Sequence, residues 1–554
     1  MPPPSTPATR LASVQAHLVP PSPSSTSAAP PPDWPAALAA LKAYFPETQL
    51  SLDEASRTRH ASSFGSFLPP SPAKVVVHAE KKEDVVEVVR IARMHGVVII
   101  PTGGRTGLEG QFHPAASPAD DEPTCCNPRV GEKYIPSSSP SAYSANTSSS
   151  SPFPRSTPRP TIHLSLSRMD AVLDVWEQDF QARVQPGVGW ASLNEELKER
   201  GIKLFFPIDP APKSEFGGMV GVGGSGTNAV GYGTMRAEWI TSLEVVLMDG
   251  SVIRTKGPSN RARKSSVGWD TARLFLGSEG TLGIVTELTV RLAPVVPLKV
   301  ALTSFPSVAQ AVSTVVEILT AGLTPTSLEL LDGTSIKGLN LAELLPEKLP
   351  EEPTVLMRFG NPDDAPELPA LVKVAEIVRR NGGKELTIAR NEKENEKLWN
   401  ARKSQYWSQQ LLIGEGCRTL ITDVCVPISR LAEFVSKSDI YVRESGLVAP
   451  IVAHIGDGNV HRAILWKGAP GETAAPSAVE ALAKKLVKLA QSLEGTCAGE
   501  HGIGLMKRKY LQEELGDGTL ALMRRVKDLL DPFHLLNPDK VLYPPGEAPW
   551  EQST

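Results

Sequence analysis

Three glycine-rich segments, spread over residues 101–285, constrain this chain more than any other feature. The first is Pro101-Thr-Gly-Gly-Arg-Thr-Gly107, the second runs Phe216–Gly233 and the third is Leu276–Val285. Glycine lets backbone N–H groups turn toward an anion at close range, so such loops can cradle phosphate. Taken alone, each is as well explained by a tight turn. Three of them suit a long ligand laid across two subdomains, as an extended dinucleotide is. The second segment contains Gly221-x-Gly223-x-x-Gly226, which matches the nicotinamide-dinucleotide fingerprint, with Glu244 near the expected acidic position. That fingerprint needs a hydrophobic strand directly before it. Here the preceding residues are Pro-Ile-Asp-Pro-Ala-Pro-Lys-Ser-Glu215, which cannot be a central strand. Glu244 also falls inside the next strand. A doubly wound nicotinamide domain is therefore rejected.

Around these loops the pattern is that of an α/β unit. Val75–Val77 reads as a strand. Residues 82–95 read as a helix, with Val85, Val86, Val89 and Ala92 at helical spacing and Gly96 just past the end. Val97–Ile100 is the next strand. Thr161–Leu166, Arg183–Val184 and Leu282–Arg291 read as later strands, and Leu243–Thr255 as a hairpin about Asp249-Gly250. Past Pro294–Pro297 the helical patterns lengthen and the glycines thin out, which marks a domain boundary. Proline is concentrated in two places. Residues 1–35 hold 11 of the 50 prolines and 114–160 hold ten, so both are read as outside the packed core. The first is a disordered tail or, from its lack of acid before Asp33, an organelle transit peptide. The second is a low-complexity surface insertion.

A net charge of −4 argues against a nucleic-acid partner. No apolar run is long enough to span a membrane. Five scattered cysteines, with only Cys125 and Cys126 adjacent, suit a reducing compartment. The strongest chemical signal lies in the second half. In His454-Ile-Gly-Asp-Gly-Asn-Val-His461 two histidines flank a turn, and Gly499-Glu-His-Gly-Ile-Gly504 follows. Two His and one Glu make a three-ligand set with open positions, the usual arrangement of a catalytic divalent site. A lone His in such a turn is more often a hydrogen-bonded turn residue; the set carries the reading.

Pro101–Gln111, Gln185-Pro-Gly187, residues 207–233 and Gly277–Val285 together resemble the FAD-binding domain of the vanillyl-alcohol-oxidase/p-cresol-methylhydroxylase superfamily. The resemblance implies an α+β fold: a two-subdomain FAD-binding domain over 60–295 and an α+β substrate, or cap, domain over 296–530. Residues 531–545, with Asp531-Pro-Phe-His-Leu-Leu-Asn-Pro538, would return to the FAD domain. It implies that Pro101, Thr102, Gly103, Gly104, Arg105, Thr106, Gly107 and Leu108 hold the pyrophosphate. The flavin would be lined by Pro186, Gly187, Asp209, Gly217, Gly218, Gly221, Gly224, Ser225, Gly226, Thr227, Asn228, Tyr232 and Gly233. Glu279, Gly283, Ile284, Val285 and Asn537 complete that set. Some members attach FAD through a His after the paired glycines; Arg105 stands there, so non-covalent FAD is expected.

The later motifs resemble the FAD-linked D-2-hydroxy-acid dehydrogenases, most closely the cytochrome-linked D-lactate branch. That resemblance implies a divalent metal, zinc or manganese, on His454, His461 and Glu500, with His501 as the base. Arg402, in Leu398-Trp-Asn-Ala-Arg402, would anchor the substrate carboxylate; its other reading is a solvated helix charge. An imidazole suits the role of base, because its ordinary pKa lies near neutral pH. Ile421 and Ala463 stand where a 2-hydroxyglutarate enzyme would place polar partners for a distal carboxylate, so a short substrate is favoured. A transferase of the alkylglycerone-phosphate synthase type is disfavoured, because only one His stands at 498–501. Cytochrome c or another acceptor would take the electrons, and a mitochondrial location is expected, with the cytoplasm as the alternative.

Overall fold

The computed structural model describes residues 30–63, 65–66, 68–114, 159–257, 260–345, 347–361, 368–468 and 474–544. Most of the proline-rich tail, nearly all of the insertion, and Cys125 and Cys126 lie outside these residues. Trp34 and Pro35, assigned to the tail by composition, instead open a helix, Trp34–Tyr44, capped by the Asp33 carboxylate. Proline suits a helix's first turn, where its missing N–H costs nothing.

The first sheet holds β1 (Leu50–Ser51), β2 (Val75–His78), β3 (Val98–Thr102) and β4 (Thr161–Ser165), in the order β1-β2-β4-β3. β4 lies parallel to both β2 and β3 and is buried throughout. The helix Lys82–His95 crosses from β2 to β3 and buries Val85, Val88, Val89 and Ala92. Val88, rather than the expected Val86, completes its apolar stripe. Gly96 ends the helix at φ +62°. β3 is the edge strand, which is why it tolerates Pro101.

That edge is covered by the far end of the chain. Ile99 N–H donates to Leu535 O at 2.8 Å, and Asn537 N–H donates to Ile99 O at 2.7 Å. Residues 535–537 thus extend the sheet beside β3, at an Ile99–Leu536 parallel bridge.

The second sheet is antiparallel. Along the chain come β5 (Val172–Trp176), β6 (Gln181–Val184), β7 (Leu204–Phe205), β8 (Ile240–Val246), β9 (Val252–Arg254), β10 (Ile284–Arg291) and β11 (Ala293–Pro294). β5-β6-β10-β8-β9 form the sheet, and β7 pairs with β11 alone. No strand precedes the second glycine segment directly. Its helix, Phe216–Val222, ends at Gly223 with φ +64°. The glycines of the apparent fingerprint therefore sit at a helix C-terminus, the wrong end for a diphosphate.

The third sheet has eight strands: β12 (Leu298–Ser304), β13 (Pro325–Leu331), β14 (Thr354–Gly360), β15 (Thr387–Ile388), β16 (Cys417–Ile421), β17 (Val424–Cys425), β18 (Ile451–His454) and β19 (Asn459–Lys467). Helices pack on it around a core that includes Phe305, Val315, Met357, Phe434 and Ile451. All its pairings are antiparallel, and β13-β18-β19 lie at its centre. These central strands carry the chemistry.

Candidate active site

A cavity opens between the first two sheets and the third. Its walls include the whole 101–108 loop, the N-terminal half of the second glycine segment and the third glycine segment, with Glu500 and His501 at its border. Of the predicted flavin residues, Pro101 to Leu108, Pro186, Gly217, Gly218, Gly221, Gly224, Ser225, Glu279, Gly283, Ile284, Val285 and Asn537 line it. The first loop is built to admit backbone contact only. A Cβ on Gly104 would lie 2.3 Å from Lys213 O, and Arg105 adopts φ +55°. Arg105 is the one Lys or Arg lining this cavity among the described residues.

Gly187, Asp209, Gly226, Thr227, Asn228, Tyr232 and Gly233 do not line the cavity. They support the wall instead. The buried Asp209 carboxylate accepts Thr227 Oγ1 at 2.6 Å and Asn228 N–H at 3.0 Å, which fixes the end of the glycine segment. Gly226 packs so closely on Asp209 that a Cβ would fall within 2.6 Å of it. Asn228 reaches the third sheet by accepting Ser327 Oγ at 3.0 Å. The cavity fits a polar dinucleotide: the Oδ1 of Asn537 and the Nδ1 of His501 are buried on its wall with no hydrogen-bond partner among the described residues. A larger cleft of about 1210 Å³ runs along the helix Leu511–Leu530 on the far side of Glu500 and Gly502, but none of the 101–108 loop lines it.

His454 ends β18 and His461 lies in β19, joined by a turn in which a Cβ on Gly458 would meet Val426 O at 2.0 Å. Glu500 Oε1 sits 3.3 Å from His454 Nε2 and 3.1 Å from His461 Nε2. Its other oxygen accepts Ser225 Oγ at 2.6 Å, from the flavin side. One ligand atom from each of the three side chains lies within 4.8 Å of the others, so the set can hold a metal ion. Burial disfavours a charged His454, but Glu329 and Glu500 outweigh it and hold the imidazole well above the usual value. The cluster is electrostatically arranged for a positive charge at its centre.

Sequence reasoning missed what supports this cluster. Glu329 in β13 is the cross-strand partner of His454, and its Oε1 lies 2.7 Å from His454 Nδ1. That contact leaves Nε2 for a ligand. Glu329 Oε2 accepts Arg402 Nε at 2.8 Å and Nη2 at 2.5 Å. Arg402 is therefore neither a solvated charge nor wholly free for substrate: it is about a tenth exposed, and only Nη1 stays out of the pair. Asp423, fully buried, accepts Glu500 N–H at 3.0 Å and His501 N–H at 2.8 Å, and faces Lys507 Nζ at 3.4 Å. From the flavin side, Gln111 Nε2 donates to His501 O at 2.7 Å. Glu279, though on the wall, spends its carboxylate on Ile503 and Gly504 N–H at 2.5 and 2.8 Å. The one readable signal was Glu329, a lone carboxylate inside the apolar strand Leu328–Leu331.

His501 stacks on His461, ring centroids 4.9 Å apart. Burial pushes its pKa down to about 4, below the neutral value expected. The imidazole is thus uncharged at pH 7, the form that can accept a proton.

Residues 297–541 match the model for the C-terminal domain of FAD linked oxidases, and residues 143–256 match an FAD binding domain. A zebrafish (Danio rerio) protein named probable mitochondrial D-lactate dehydrogenase is 36% identical over 472 residues, 85% of this chain and 84% of that protein. The chain belongs to the FAD-linked oxidase family. An Arabidopsis thaliana relative named D-lactate dehydrogenase [cytochrome], mitochondrial, is 34% identical over 90% of this chain and 78% of its own length. This FAD-linked oxidase is an FAD-dependent oxidoreductase. Its fold is that of p-cresol methylhydroxylase, with a TM-score of 0.66 at 14% identity, covering 91% of this chain and 96% of that one. Among its described residues no helix is long and apolar enough to cross a membrane.

Proposed function

We propose that this oxidoreductase converts a short D-2-hydroxy acid, D-lactate first, to the 2-keto acid. The observation that carries the reading is that Glu500 and His501 belong to both the His454–His461 cluster and the flavin cavity wall. The names of the relatives support it. When bound, FAD supplies the two-electron acceptor, and a divalent ion, zinc or manganese, supplies a Lewis acid for the substrate hydroxyl. His454, His461 and Glu500 would hold that ion. Glu329 fixes the His454 tautomer, and Ser225 and Asp423 fix Glu500. His501, neutral and buried, takes the hydroxyl proton. Arg402 directs Nη1 at the carboxylate that all 2-hydroxy acids share. Cytochrome c or another carrier takes the electrons onward, in mitochondria. Non-covalent FAD follows from Arg105, and acid precipitation should leave the flavin in the supernatant; flavin that stays with the pellet refutes it.

Substrate size is the sharper test. Ile421 and Ala463 are cross-strand partners in β16 and β19, and Ala463, two residues beyond His461, shares its face of the sheet. They form one apolar spot where D-2-hydroxyglutarate would have to bury a second carboxylate. An unpaired buried charge costs several kcal/mol, so kcat/KM should favour D-lactate by roughly 100-fold or more, at ~1.4 kcal/mol per tenfold. Ile421→Lys should narrow the gap. Equal turnover of the two acids by the wild-type protein overturns the substrate assignment.

A further inference from the structure

The flavin cavity contains a carboxyl group where its ligand is most negative. FAD carries its negative charge on the diphosphate, and Arg105 is the only cation lining the cavity among the described residues, within the glycine loop that leaves backbone N–H groups free to meet an anion. Glu215 lines the same stretch. Its Oε2 lies 3.0 Å from where a Cβ on Gly103 would be, and its Cγ 3.5 Å from that position on Gly104. Ser167 Oγ donates to the same Oε2 at 3.0 Å. The loops that carry the two halves are pinned together by Thr106 Oγ1 and Ser214 Oγ, 3.1 Å apart. These contacts hold the Glu215 carboxyl against the glycine loop. An ionised carboxylate there would oppose any anion that the loop holds, in a site that burial makes poorly screened.

We propose that Glu215 is protonated whenever FAD is bound, so that above neutral pH cofactor binding takes up one proton. The groups that face it are few. Arg105, from the first loop, favours its charged form, and Asp170, beyond β4, opposes it. Lys213, on its own loop, presents its backbone carbonyl to Gly104. Burial is the largest influence and raises the Glu215 pKa to about 7 before any cofactor is considered. Ser167 is the main group holding the carboxyl ionised and Arg105 the second; a diphosphate held by Arg105 would neutralise that second influence and add negative charge, both of which would raise the pKa further. Glu279, whose pKa burial also raises to about 7, is the other ionisable carboxyl on the wall near neutral pH, but it is occupied with Ile503 and Gly504.

The test follows flavin release from diluted holoenzyme by fluorescence, as a function of pH, with no substrate present. The Kd for FAD should rise about tenfold per pH unit above neutrality, the slope that one linked proton requires. Glu215→Gln keeps the shape and the Ser167 contact but cannot ionise, so its Kd should be flat across the same range and no weaker than wild type at pH 8. Ser167→Ala removes a donor that favours the charged form, and the rise should begin at higher pH. A wild-type slope shared by Glu215→Gln, an unmoved onset in Ser167→Ala, or a pH-independent loss of affinity in Glu215→Gln each overturns the proposal. The last would mean that the carboxylate serves as an ionised acceptor for the cofactor.

Discussion

Replacing His454 with Ala should empty the metal site and lower kcat/KM for D-lactate about a thousandfold, while FAD stays near one per chain. A Lewis acid at the reacting oxygen is worth several kcal/mol, and ~1.4 kcal/mol is a factor of ten in rate. The remaining Glu500 and His461 give two donors, too few for a catalytic divalent ion. The flavin should be indifferent, because the walls of its cavity come from the 101–108 loop and the two later glycine segments. The protein should also remain folded, since Arg402 keeps its partner Glu329. Metal content by elemental analysis, flavin content by absorbance and steady-state rates separate these effects. Wild-type turnover in metal-free protein would remove the ion from the mechanism altogether.

Glu329→Ala should be the most destabilising single change at the site. Glu329 is fully buried between Arg402 and His454, and burial alone would favour its neutral form; those two cations outweigh it and hold the carboxylate ionised. Removing it strands the Arg402 guanidinium in the sheet. Breaking a buried pair from one side costs about 3–5 kcal/mol, seen as a lower denaturation midpoint. His454 also loses the acceptor at Nδ1, and metal affinity should drop 10–100-fold, roughly, as loss of such outer partners does. The double variant Glu329→Leu, Arg402→Met should recover most of the stability without recovering activity. Stability unchanged in Glu329→Ala would mean that Arg402 finds another counter-charge. Failure of the double variant to recover would place the loss in packing rather than charge.

The elements with a local signal were legible in the sequence. The helix at 82–95 shows its period and its Gly96 stop, and the clustered His454, His461 and Glu500 announce themselves as polar residues among glycines at 454–461 and 499–504. The hairpin about Asp249-Gly250 reads from its turn. What could not be read is contact at long separation. Asp423 holds the N–H of Glu500 from 77 residues away, and Gln111 holds the carbonyl of His501 from 390 away. Asp209 and Asn228 lie close in sequence to residues that line the cavity, yet their side chains are engaged behind the wall, with Thr227 and Ser327. Arg402 lies on a helix, as its sequence suggests, but the strand that takes up its fork lies five elements and 73 residues back. Composition misjudged Trp34 and Pro35, because proline counts equally as a breaker and as a helix opener.

The edge of β3 is closed by Leu535–Asn537, and Asn537 also touches the backbone of Gln111 and Glu279 on the cavity wall. A chain emerging from the ribosome therefore makes the first sheet early but cannot finish it until residues 535–537 appear. Contacts of such sequence separation close late. Until then the nascent protein carries an unpaired parallel-sheet edge, a template for adhesion to other chains, and a flavin cavity with one wall missing. Full cofactor capture should thus wait for residues 535–537. A ribosome that stops after the helix Leu511–Leu530 should release a protein that contains His454, His461 and Glu500 but is flavin-poor and prone to aggregate.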